Sequence, residues 1–546
     1  MAMAKPDHRF VPGPVGRPTH RRHGWGFLLD ALGLCLLPLA TPLSEAQWVA
    51  YAWPPEAIRS DQYRVFLGVG AEPEREVQVL MSVARPQGDY RAAELAGRTF
   101  SFVPVSYGAA AGPLRVRVVK TFGNAASAVS VHPRSYGIAA TPPRGNEVTF
   151  AVTSPARYLS VHFAGPDNET PSCHWVRHMF CLFVDPLETD IPARDGGGVV
   201  VYSAQADPEA LKQAQTIWFP AGYHNLRDAR PGGSVSADGQ LRLQDGQALY
   251  LEGGAFVEGL VDSQARQGAG QRIYGRGLLT GRQYLWRNHP DHTGPEYGHL
   301  LGVGHRARVE GVTLLESPHH GLVGGTTTIT HVKLLGWHCN NDAVRVGAGS
   351  EISHCFFRPV DDCFYNFRIH VHDVVVWAGH NGAILTYGWG GESTYPSGAS
   401  RLENLDVIHP EWTGLGNNNG LVAAQVGLDY RPFGYGGDPR TVLRSIRVEG
   451  AIPGLVNLKP LSSGKGIVAQ PVASEKVGYL GDLLLEDVAV DRQFAKSRLE
   501  GKSKASTDGA GTFYVQNVEF RNVRIGGEWL TEANQGTFVD RDERTT

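Results

Sequence analysis

The sequence carries little net charge and few cysteines or methionines. Its 51 lysines and arginines nearly balance 54 aspartates and glutamates, which leaves no global basic field to attract nucleic acid or an anionic membrane. The six cysteines form no CxxC pair and no Cys/His cluster with metal-ligand spacing, so we predict neither a metal nor a cofactor. Only 4 methionines accompany 67 glycines, and strong helix-forming stretches are scarce. This composition favours an all-β protein rich in tight turns.

The N-terminus has the pattern of a secretory signal. Basic residues at 20–23 precede an apolar run at 24–39, and small residues follow at a possible cleavage point. The run is short for a transmembrane span. We therefore predict that residues 1–46 are a signal peptide and that the mature chain is secreted or periplasmic, without a membrane anchor. In an oxidising compartment, Cys173 and Cys181 could close a short disulfide loop.

Residues 47–201 contain short runs in which apolar and polar side chains alternate. Residues 63–67 and 114–119 are examples, and Gly, Pro and Asn turns separate such runs. Alternation with a period of two between regular turns is typical of an antiparallel β-sandwich. We predict this domain over residues 47–201, with a short helix near 207–214.

From residue 202 to 546 the pattern changes to apolar strands that recur about every twenty residues. The clearest series begins at Val309, Val332, Ile352 and Val371. The later intervals lengthen, as loop insertions on one side of a solenoid would make them. A repeat of this length without a helix is typical of a right-handed parallel β-helix. Residues 417–419, three successive asparagines, could form part of a stacked asparagine ladder at one of its turns.

Two neighbouring repeats carry carboxylates at matching positions. Asp342 is followed 19 and 20 residues later by Asp361 and Asp362, which is one coil, so the three should lie about one strand spacing of 4.8 Å apart. Carboxylates this close repel one another, which raises pKa values and separates acid from base roles. An acidic turn and a calcium site are the alternatives. Pro359 indicates a strand break that would let Asp361 and Asp362 face the same cleft.

Aromatic residues flank the acidic coils. Their ring faces suit the apolar faces of pyranose sugars, although core packing is the alternative for each of them. These residues are Trp337, Trp377, Tyr387, Trp389 and Trp412.

A sandwich followed by a β-helix, with Asn-Asn-Asp at 340–342 and Asp-Asp at 361–362, resembles glycoside hydrolase family 49, the dextranases and isopullulanases. Residues 384–390, Ile-Leu-Thr-Tyr-Gly-Trp-Gly, are also similar to that family. The resemblance covers roughly residues 47–520. Polygalacturonases of the same clan have similar Asn-x-Asp, Asp-Asp and Gly-His elements. This chain lacks their Arg-x-Lys clamp in an obvious place, and its interval between Asp and Asp-Asp is shorter.

The resemblance implies an inverting hydrolase that needs no cofactor. Asp361 would protonate the glycosidic oxygen, while Asp342 and Asp362 would activate water on the opposite face. The expected substrate is an α-glucan of the dextran or pullulan type, cleaved by a monomer. The candidate substrate-binding residues are Asn341, Arg345, Asn366, His380, Tyr387 and Trp389.

Two other functions stay open at this point. A pectin hydrolase of the polygalacturonase type would need a cationic cleft, for which Arg345, Arg358 and Arg368 are candidates. A β-helix protein that binds glycan without cleaving it would have the same fold and no turnover.

Overall fold

The computed structural model describes residues 47–230, 232–263, 269–291, 298–390, 399–416, 418–426, 440–460, 477–501 and 512–542. The predicted signal peptide and Asn417 lie outside the described residues. Among the described residues, no helix is both long enough and apolar enough to cross a membrane.

The N-terminal strands form two packed sheets. In chain order they are β1 (Trp48–Ala50), β2 (Tyr63–Val69), β3 (Arg75–Val77), β4 (Leu80–Val83), β5 (Thr99–Tyr107), β6 (Leu114–Lys120), β7 (Ala128–His132), β8 (Glu147–Val152), β9 (Arg157–Ala164) and β10 (His178–Pro186), with α1 (Ala92–Leu95) between β4 and β5. One sheet has the order β1-β5-β10-β9-β7 with β4 beside β5, and the other has the order β3-β2-β6-β8. Neighbours are antiparallel except β5 and β10, which are parallel. The predicted β-sandwich is confirmed.

The alternation of side chains explains why these strands pack as a sandwich. In β6, Leu114, Val116 and Val118 are buried, while the residue that follows each of them is partly exposed. Lys120, at the end of the strand, is also buried. The inward side chains of both sheets form one apolar core. One face of each strand therefore supplies the core of the domain.

The rest of the described chain is a parallel solenoid. Its elements are β11 (Val199–Val201), α2 (Pro208–Gln213), β12 (Thr216–Phe219), β13 (Gly222–Asn225), β14 (Gln240–Leu241), β15 (Ala248–Leu251), β16 (Ala255–Glu258), β17 (Leu260–Asp262), β18 (Arg272–Gly275), β19 (Leu278–Thr280), β20 (Leu301–Val303), β21 (Ala307–Glu310), β22 (Thr313–Leu315), β23 (Leu322–Gly324), β24 (Thr327–Thr330), β25 (Lys333–Leu335), β26 (Val344–Arg345), β27 (Glu351–Ser353), β28 (Phe356–Arg358), β29 (Phe364–Tyr365), β30 (His370–Trp377), β31 (Ala383–Gly390), β32 (Arg401–Ile408), β33 (Gly420–Val426), β34 (Thr441–Ile452), β35 (Val456–Pro460), β36 (Val477–Gln493), β37 (Ser497–Leu499), β38 (Thr512–Ile525), β39 (Glu528–Trp529), α3 (Gln535–Phe538) and β40 (Val539–Arg541). The predicted short helix is confirmed as α2, which Asp207 caps by accepting a hydrogen bond from the backbone N–H of Glu209.

The solenoid has three faces, and each coil contributes one strand to each face. The first face contains β12, β15, β18, β21, β24 and β27, and the second contains β13, β16, β19, β22, β25 and β28; from β30 onward one longer strand spans both. The third face runs from β14 through β17, β20, β23, β26, β29, β31, β33, β35 and β37 to β40. The predicted right-handed parallel β-helix is confirmed, and its handedness is that of nearly all parallel crossovers.

The register corrects one detail of the predicted repeat. On the first face Val309 pairs with Ile329, and Ile329 pairs with Ile352. The run at Val332 belongs instead to the second face, where Lys333 pairs with Thr313. The sequence series therefore mixed two faces of the same coils.

The sandwich covers the second face of the solenoid. Phe100 and Phe183 project from β5 and β10 onto Phe356 of β28, with ring centroids 6.3 and 5.0 Å apart. Phe100 also lies 6.0 Å from the ring of Trp377. This apolar interface is continuous with further second-face residues. It places the segment after β4 beside the corner where the second and third faces meet.

A buried ion-pair network crosses the same interface. Arg98 of the sandwich lies 2.6 Å from Glu411 of the solenoid, and Arg358 lies 3.1 Å from the same carboxylate. All three side chains are almost fully buried. Arg358 is therefore committed to this network, and its predicted place in a cationic cleft is wrong.

The predicted disulfide is also wrong. The described cysteines, Cys173, Cys181, Cys339, Cys355 and Cys363, are all free. Cys181 is fully buried at the interface between sandwich and solenoid. The Sγ of Cys173 lies instead 3.9 Å from a carboxylate oxygen of Glu94.

Candidate active site

Three aspartates meet at the corner between the second and third faces. Asp342 lies between β25 and β26, and Asp361 and Asp362 lie between β28 and β29. Because Val344 pairs with Phe364, Asp342 and Asp362 occupy equivalent positions on adjacent coils. Residues one coil apart in the sequence, here Asp342 and Asp362, are thus neighbours in space.

The chain is irregular at the Asp pair, as Pro359 indicated. Strand β28 ends at Arg358, and β29 begins only at Phe364. The backbone N–H of Asp362 donates to Oδ1 of Asp361 at 3.0 Å. This local turn lets adjacent residues project to the same side, which a regular strand would forbid.

Asp361 is the least buried of the three aspartates. Its Oδ2 accepts hydrogen bonds from the backbone N–H of Asn340 and from Nδ2 of Asn381, both at 2.8 Å. Burial, followed by the nearby charge of Asp342, raises the pKa of Asp361 to about 7. Its carboxyl group can therefore hold a proton near neutral pH.

Asp362 is buried and held by donors from two later coils. Its Oδ1 accepts from the backbone N–H of Ala383 at 2.9 Å and from the side-chain amide of Asn418. Burial, followed by the charges of Asp361 and Asp342, raises the pKa of Asp362 well above its usual range.

Asn418 and Asn419, the two described asparagines of this run, have a different role from the one predicted. The amide of Asn418 donates to Asp362, and that of Asn419 donates to the carbonyl of Gly414 at 3.0 Å. Among the residues that the structure describes, neither pairs with a stacked asparagine. Asn418 is part of the surroundings of the aspartates instead.

Asp342 is also buried, and it has different neighbours. The hydroxyl of Tyr365 donates to its Oδ2 at 2.5 Å, and Nδ1 of His320 lies 3.7 Å from the same oxygen. The guanidinium of Arg345 lies over the Tyr365 ring, 5.1 Å from its centroid. Burial raises the pKa of Asp342 to about 6, although Tyr365 and Arg345 act against the rise.

Three histidines line the corner next to Asp342. The rings of His319 and His320 lie 4.1 Å apart, and His299 lies 4.9 and 5.0 Å from them. Burial, followed by the charges of Arg345 and Arg287, lowers the pKa of His320 to about 3. His320 is therefore a neutral hydrogen-bonding group at neutral pH.

The sandwich contributes two residues to the same corner. Asp89 lies between His338 and His380, 3.6 and 3.5 Å from their ring nitrogens. Burial opposes ionisation, but the two flanking imidazoles hold the pKa of Asp89 below its usual range. Tyr90 lies edge-on to His380, 5.4 Å between centroids, and is 61% exposed.

A cavity of about 270 Å³ lies between the sandwich and the second face, and Asn341 is its lining residue next in sequence to Asp342. Arg85 and Gln87 of the sandwich line one side, and Leu285 and Trp286 line another. Asn341, the neighbour of Asp342, reaches its floor. A cavity of this volume, lined by both polar and apolar side chains, can hold part of a sugar chain.

Asn341 shapes the corner. Its Oδ1 accepts from the backbone N–H groups of Trp337 and His338, at 2.9 and 2.8 Å. Its Nδ2 donates to the carbonyls of Ser317 and His319, at 3.0 and 2.8 Å. All of its hydrogen-bonding capacity is used by backbone, so it positions Asp342 and has none left for substrate.

Three other predicted substrate-binding residues do not reach the cleft. Asn366 is fully buried and exchanges hydrogen bonds with Thr441. Tyr387 is 1% exposed, and its hydroxyl donates to the carbonyl of Gly481 at 3.1 Å. His380 is covered by Tyr90 and by the ring of Trp175, which stacks on it at 5.5 Å. Arg345 lies at the corner as predicted, and the Trp389 side chain lies outside the described residues.

The tryptophans flanking the acidic coils are structural. Trp337 donates to Ser82 at 2.7 Å, Trp377 donates to Glu411 at 3.0 Å, and Trp412 donates to the carbonyl of Gly382 at 3.0 Å. All three are at most 5% exposed. Core packing is therefore the correct alternative for each.

Sequence reasoning missed several residues of this corner. Asn381 follows Asp361 by 20 residues, so the one-coil rule could have found it. Tyr365 lies three positions after Asp362 on the next strand, where the sequence gives a weaker signal. Tyr90 comes from the other domain, and no pattern in the sequence indicates its place.

Comparison with known proteins supports the predicted relationship. No protein-family model matches the chain. The chain is 24% identical to isopullulanase from Aspergillus niger over 259 residues, 42% of this chain and 45% of that protein. It thus spans about half the length of the curated relative it matches.

In structure the chain is similar to Dex49A from Penicillium minioluteum, with a TM-score of 0.66 and 17% identity over 90% of this chain and 94% of that one. A family 28 exopolygalacturonase from Yersinia enterocolitica gives a TM-score of 0.38 with 11% identity over 75% and 89% of the two chains, too low to carry an argument. The chain therefore has the fold class of Dex49A. Within it, the isopullulanase match and the Dex49A fold support the resemblance to family 49, the dextranase/isopullulanase-like proteins.

Proposed function

We propose that the protein hydrolyses α-glucan linkages of the dextran or pullulan type with inversion at the anomeric carbon. The observation that carries the proposal is the aspartate corner, where three carboxyl groups with raised pKa values have three different sets of hydrogen-bond partners. Groups whose environments separate their protonation states are suited to act as acid and base in one reaction.

In this proposal Asp361 is the general acid. It is the least buried of the three, and a pKa of about 7 keeps it protonated where a glycosidic oxygen must receive a proton. Asp342, with a pKa of about 6, loses its proton first and removes a proton from the attacking water. Burial raises the pKa of Asp362 further, so this carboxyl group keeps its proton longer than Asp342 does. Asp362 therefore helps Asp342 by holding the attacking water in place.

The match to isopullulanase favours a neutral glucan over a pectin, although Arg85 and Arg282 line the cavity. Of the three arginines that a cationic cleft could have used, Arg358 is buried in its pair with Glu411. Arg345 is at the corner, but it lies over the Tyr365 ring. Tyr90, which is 61% exposed at the corner, offers aromatic surface that suits the apolar face of a glucose ring.

Secretion and a monomeric state are part of the same proposal. The signal-like pattern of residues 1–46 supports export to the periplasm or medium. N-terminal sequencing of the exported protein tests the cleavage, and light scattering after gel filtration tests the monomer.

The activity is tested by release of reducing ends from dextran, pullulan and polygalacturonate. We expect hydrolysis of an α-glucan, and Asp361→Asn should lower kcat by about 10²–10⁴-fold, the range for loss of a general acid. The matched control is Asp245→Asn, which removes an exposed carboxylate on a turn far along the chain from the corner. It should leave the rate unchanged.

Each alternative has its own outcome. An Asp361→Asn protein with the parental rate would show that Asp361 is not the acid. Hydrolysis of polygalacturonate alone would favour the pectin alternative, and binding of glycan without turnover in the parent would favour the non-catalytic one. NMR of the first-formed product tests inversion, because a retained anomer contradicts the proposed roles.

A further inference from the structure

Three histidines from two domains meet away from the aspartate corner. His132 ends β7 and His162 lies on β9 of the sandwich, whereas His409 directly follows β32 of the solenoid. Each offers one nitrogen, and these nitrogens lie within 4.8 Å of one another. The three residues are far apart in sequence, so linear spacing gives no sign of the group, which we call the interdomain histidine cluster.

The rings are arranged so that their edges converge. The His132 and His409 centroids lie 4.5 Å apart with planes at 66°, and those of His162 and His409 lie 5.5 Å apart with planes at 78°. Zinc–nitrogen bonds are about 2.0–2.1 Å long in tetrahedral sites, which places the centroids of two imidazole ligands about 5 Å apart. The observed distances fall on both sides of that value.

The outer hydrogen bonds have the pattern of a metal site. Nδ1 of His132 lies 2.5 Å from a carboxylate oxygen of Glu449, and Nε2 of His409 lies 3.1 Å from Oγ of Ser160. A metal-bound histidine usually donates its second ring N–H to such a group, which orients the ring and leaves the other nitrogen as ligand. Oγ of Ser130 lies 2.8 Å from Nε2 of His132. On metal binding this hydrogen bond would be lost, and the Nε2 lone pair would coordinate the metal instead.

His162 supplies an independent observation. Its Nε2 is buried and has no hydrogen-bond partner among the residues that the structure describes. A buried polar atom without a partner is unfavourable, and coordination would satisfy it.

A second histidine group, His299, His319 and His320 at the aspartate corner, is less suited to a cation. Arg287 lies 3.0 Å from Nε2 of His319, and the charges of Arg287 and Arg345 already act on both buried rings. The interdomain histidine cluster has the carboxylate of Glu449 as its nearest charged partner instead.

We propose that His132, His162 and His409 bind one divalent transition-metal ion of the zinc class, which joins the sandwich to the solenoid. Imidazole nitrogen suits zinc, copper and nickel, and three protein ligands leave the fourth position to water. A metal held by both domains binds the folded state alone and stabilises it by mass action. The site is independent of the proposed hydrolysis.

The proposal is tested by titrating the full-length, chelator-treated protein with Zn²⁺ in a calorimeter and with Co²⁺ in the visible spectrum. We expect one equivalent to bind, with a tetrahedral Co²⁺ spectrum and a higher unfolding temperature. His162→Gln should weaken Zn²⁺ binding at least about 100-fold, the loss seen when a site loses a ligand or its support. His162 is the right position because its Nε2 bonds to no described residue that the change would disturb.

Two control variants separate this site from others. His174→Gln alters a side chain that is 75% exposed and pairs with Glu169, and His319→Gln alters the corner group; both should keep the parental affinity. Equal affinity in His162→Gln and the parent, or loss in His319→Gln alone, would overturn the proposal.

X-ray absorption at the zinc edge of the parent tests the ligands without a variant. Three imidazole nitrogens at about 2.0 Å are expected. Sulfur in the first shell, or no binding at Zn²⁺ concentrations up to about 100 μM, would equally overturn the proposal.

Discussion

Removing one hydroxyl, in Tyr365→Phe, should move the pH dependence of hydrolysis. The hydroxyl donates to Oδ2 of Asp342 at 2.5 Å, and a hydrogen bond to a charged group contributes about 1.5–3 kcal/mol. One pH unit of pKa corresponds to about 1.36 kcal/mol. Loss of this bond should therefore raise the pKa of Asp342, now about 6, by about one to two pH units.

The direction of the effect follows from the proposed role of Asp342 as base. Only its deprotonated form removes a proton from water, so the rate at acidic pH follows the deprotonated fraction. At pH 5 we expect kcat/KM to fall about 10–100-fold. The basic limb, set by Asp361 with a pKa of about 7, should not move to higher pH, because an uncharged Asp342 no longer raises the pKa of Asp361. The two limbs then overlap, so the maximum rate falls as well.

The assay is the initial rate of reducing-end release at low substrate, measured from about pH 4 to pH 9, a range that spans both limbs. Phenylalanine keeps the ring beneath Arg345, so the change is confined to the hydroxyl. Tyr274→Phe, on β18 of the first face, is the matched control and should leave both limbs unmoved. If the acidic limb of Tyr365→Phe coincides with that of the parent, Asp342 is not the base that titrates there.

Three further predictions concern stability and substrate binding. Burial raises the pKa of Asp342 from 3.8 to about 6, so its charge opposes folding and stability falls as pH rises between these values. Asp342→Asn should stabilise the fold by up to about 3 kcal/mol above pH 7 and by little near pH 3; equal gains in thermal unfolding at both pH values would contradict this. Glu411→Gln leaves two buried arginines without their carboxylate and should cost about 3–5 kcal/mol in denaturant unfolding, whereas the exposed-pair control Glu76→Gln should change little. Tyr90→Ala should raise KM about 2–10-fold, since an aromatic contact contributes about 0.5–1.5 kcal/mol, with kcat nearly constant and Tyr90→Phe close to the parent; a fall in kcat alone would remove Tyr90 from substrate binding.

The aspartates could be predicted because a solenoid converts an interval in sequence into a distance in space. Two residues separated by the length of one coil are neighbours on adjacent coils, whatever sequence lies between them. The rule found Asp342 beside Asp361 and Asp362, and it would also have found Asn381. It fails where coils lengthen, as after Val371, which pairs with Leu402.

Side-chain direction was harder to predict than position. Asn366 and Tyr387 lie on coils next to the aspartates, yet both point into the solenoid and bond to later coils. A polar side chain near a corner can face either way, because its partner inside the stack satisfies it as well as solvent would. Spacing alone does not distinguish these two outcomes.

The docking of the sandwich explains most of what the sequence could not show. The sequence left Trp337 and Trp377 as candidates for sugar contacts, but the sandwich covers both on the second face. The same docking brings Asp89 between His338 and His380 and leaves Tyr90 exposed above the cleft. These contacts depend on how two surfaces match, which no local pattern encodes. The sandwich therefore forms one wall of the candidate site, so a change at the interface should alter substrate binding even when all three aspartates are intact.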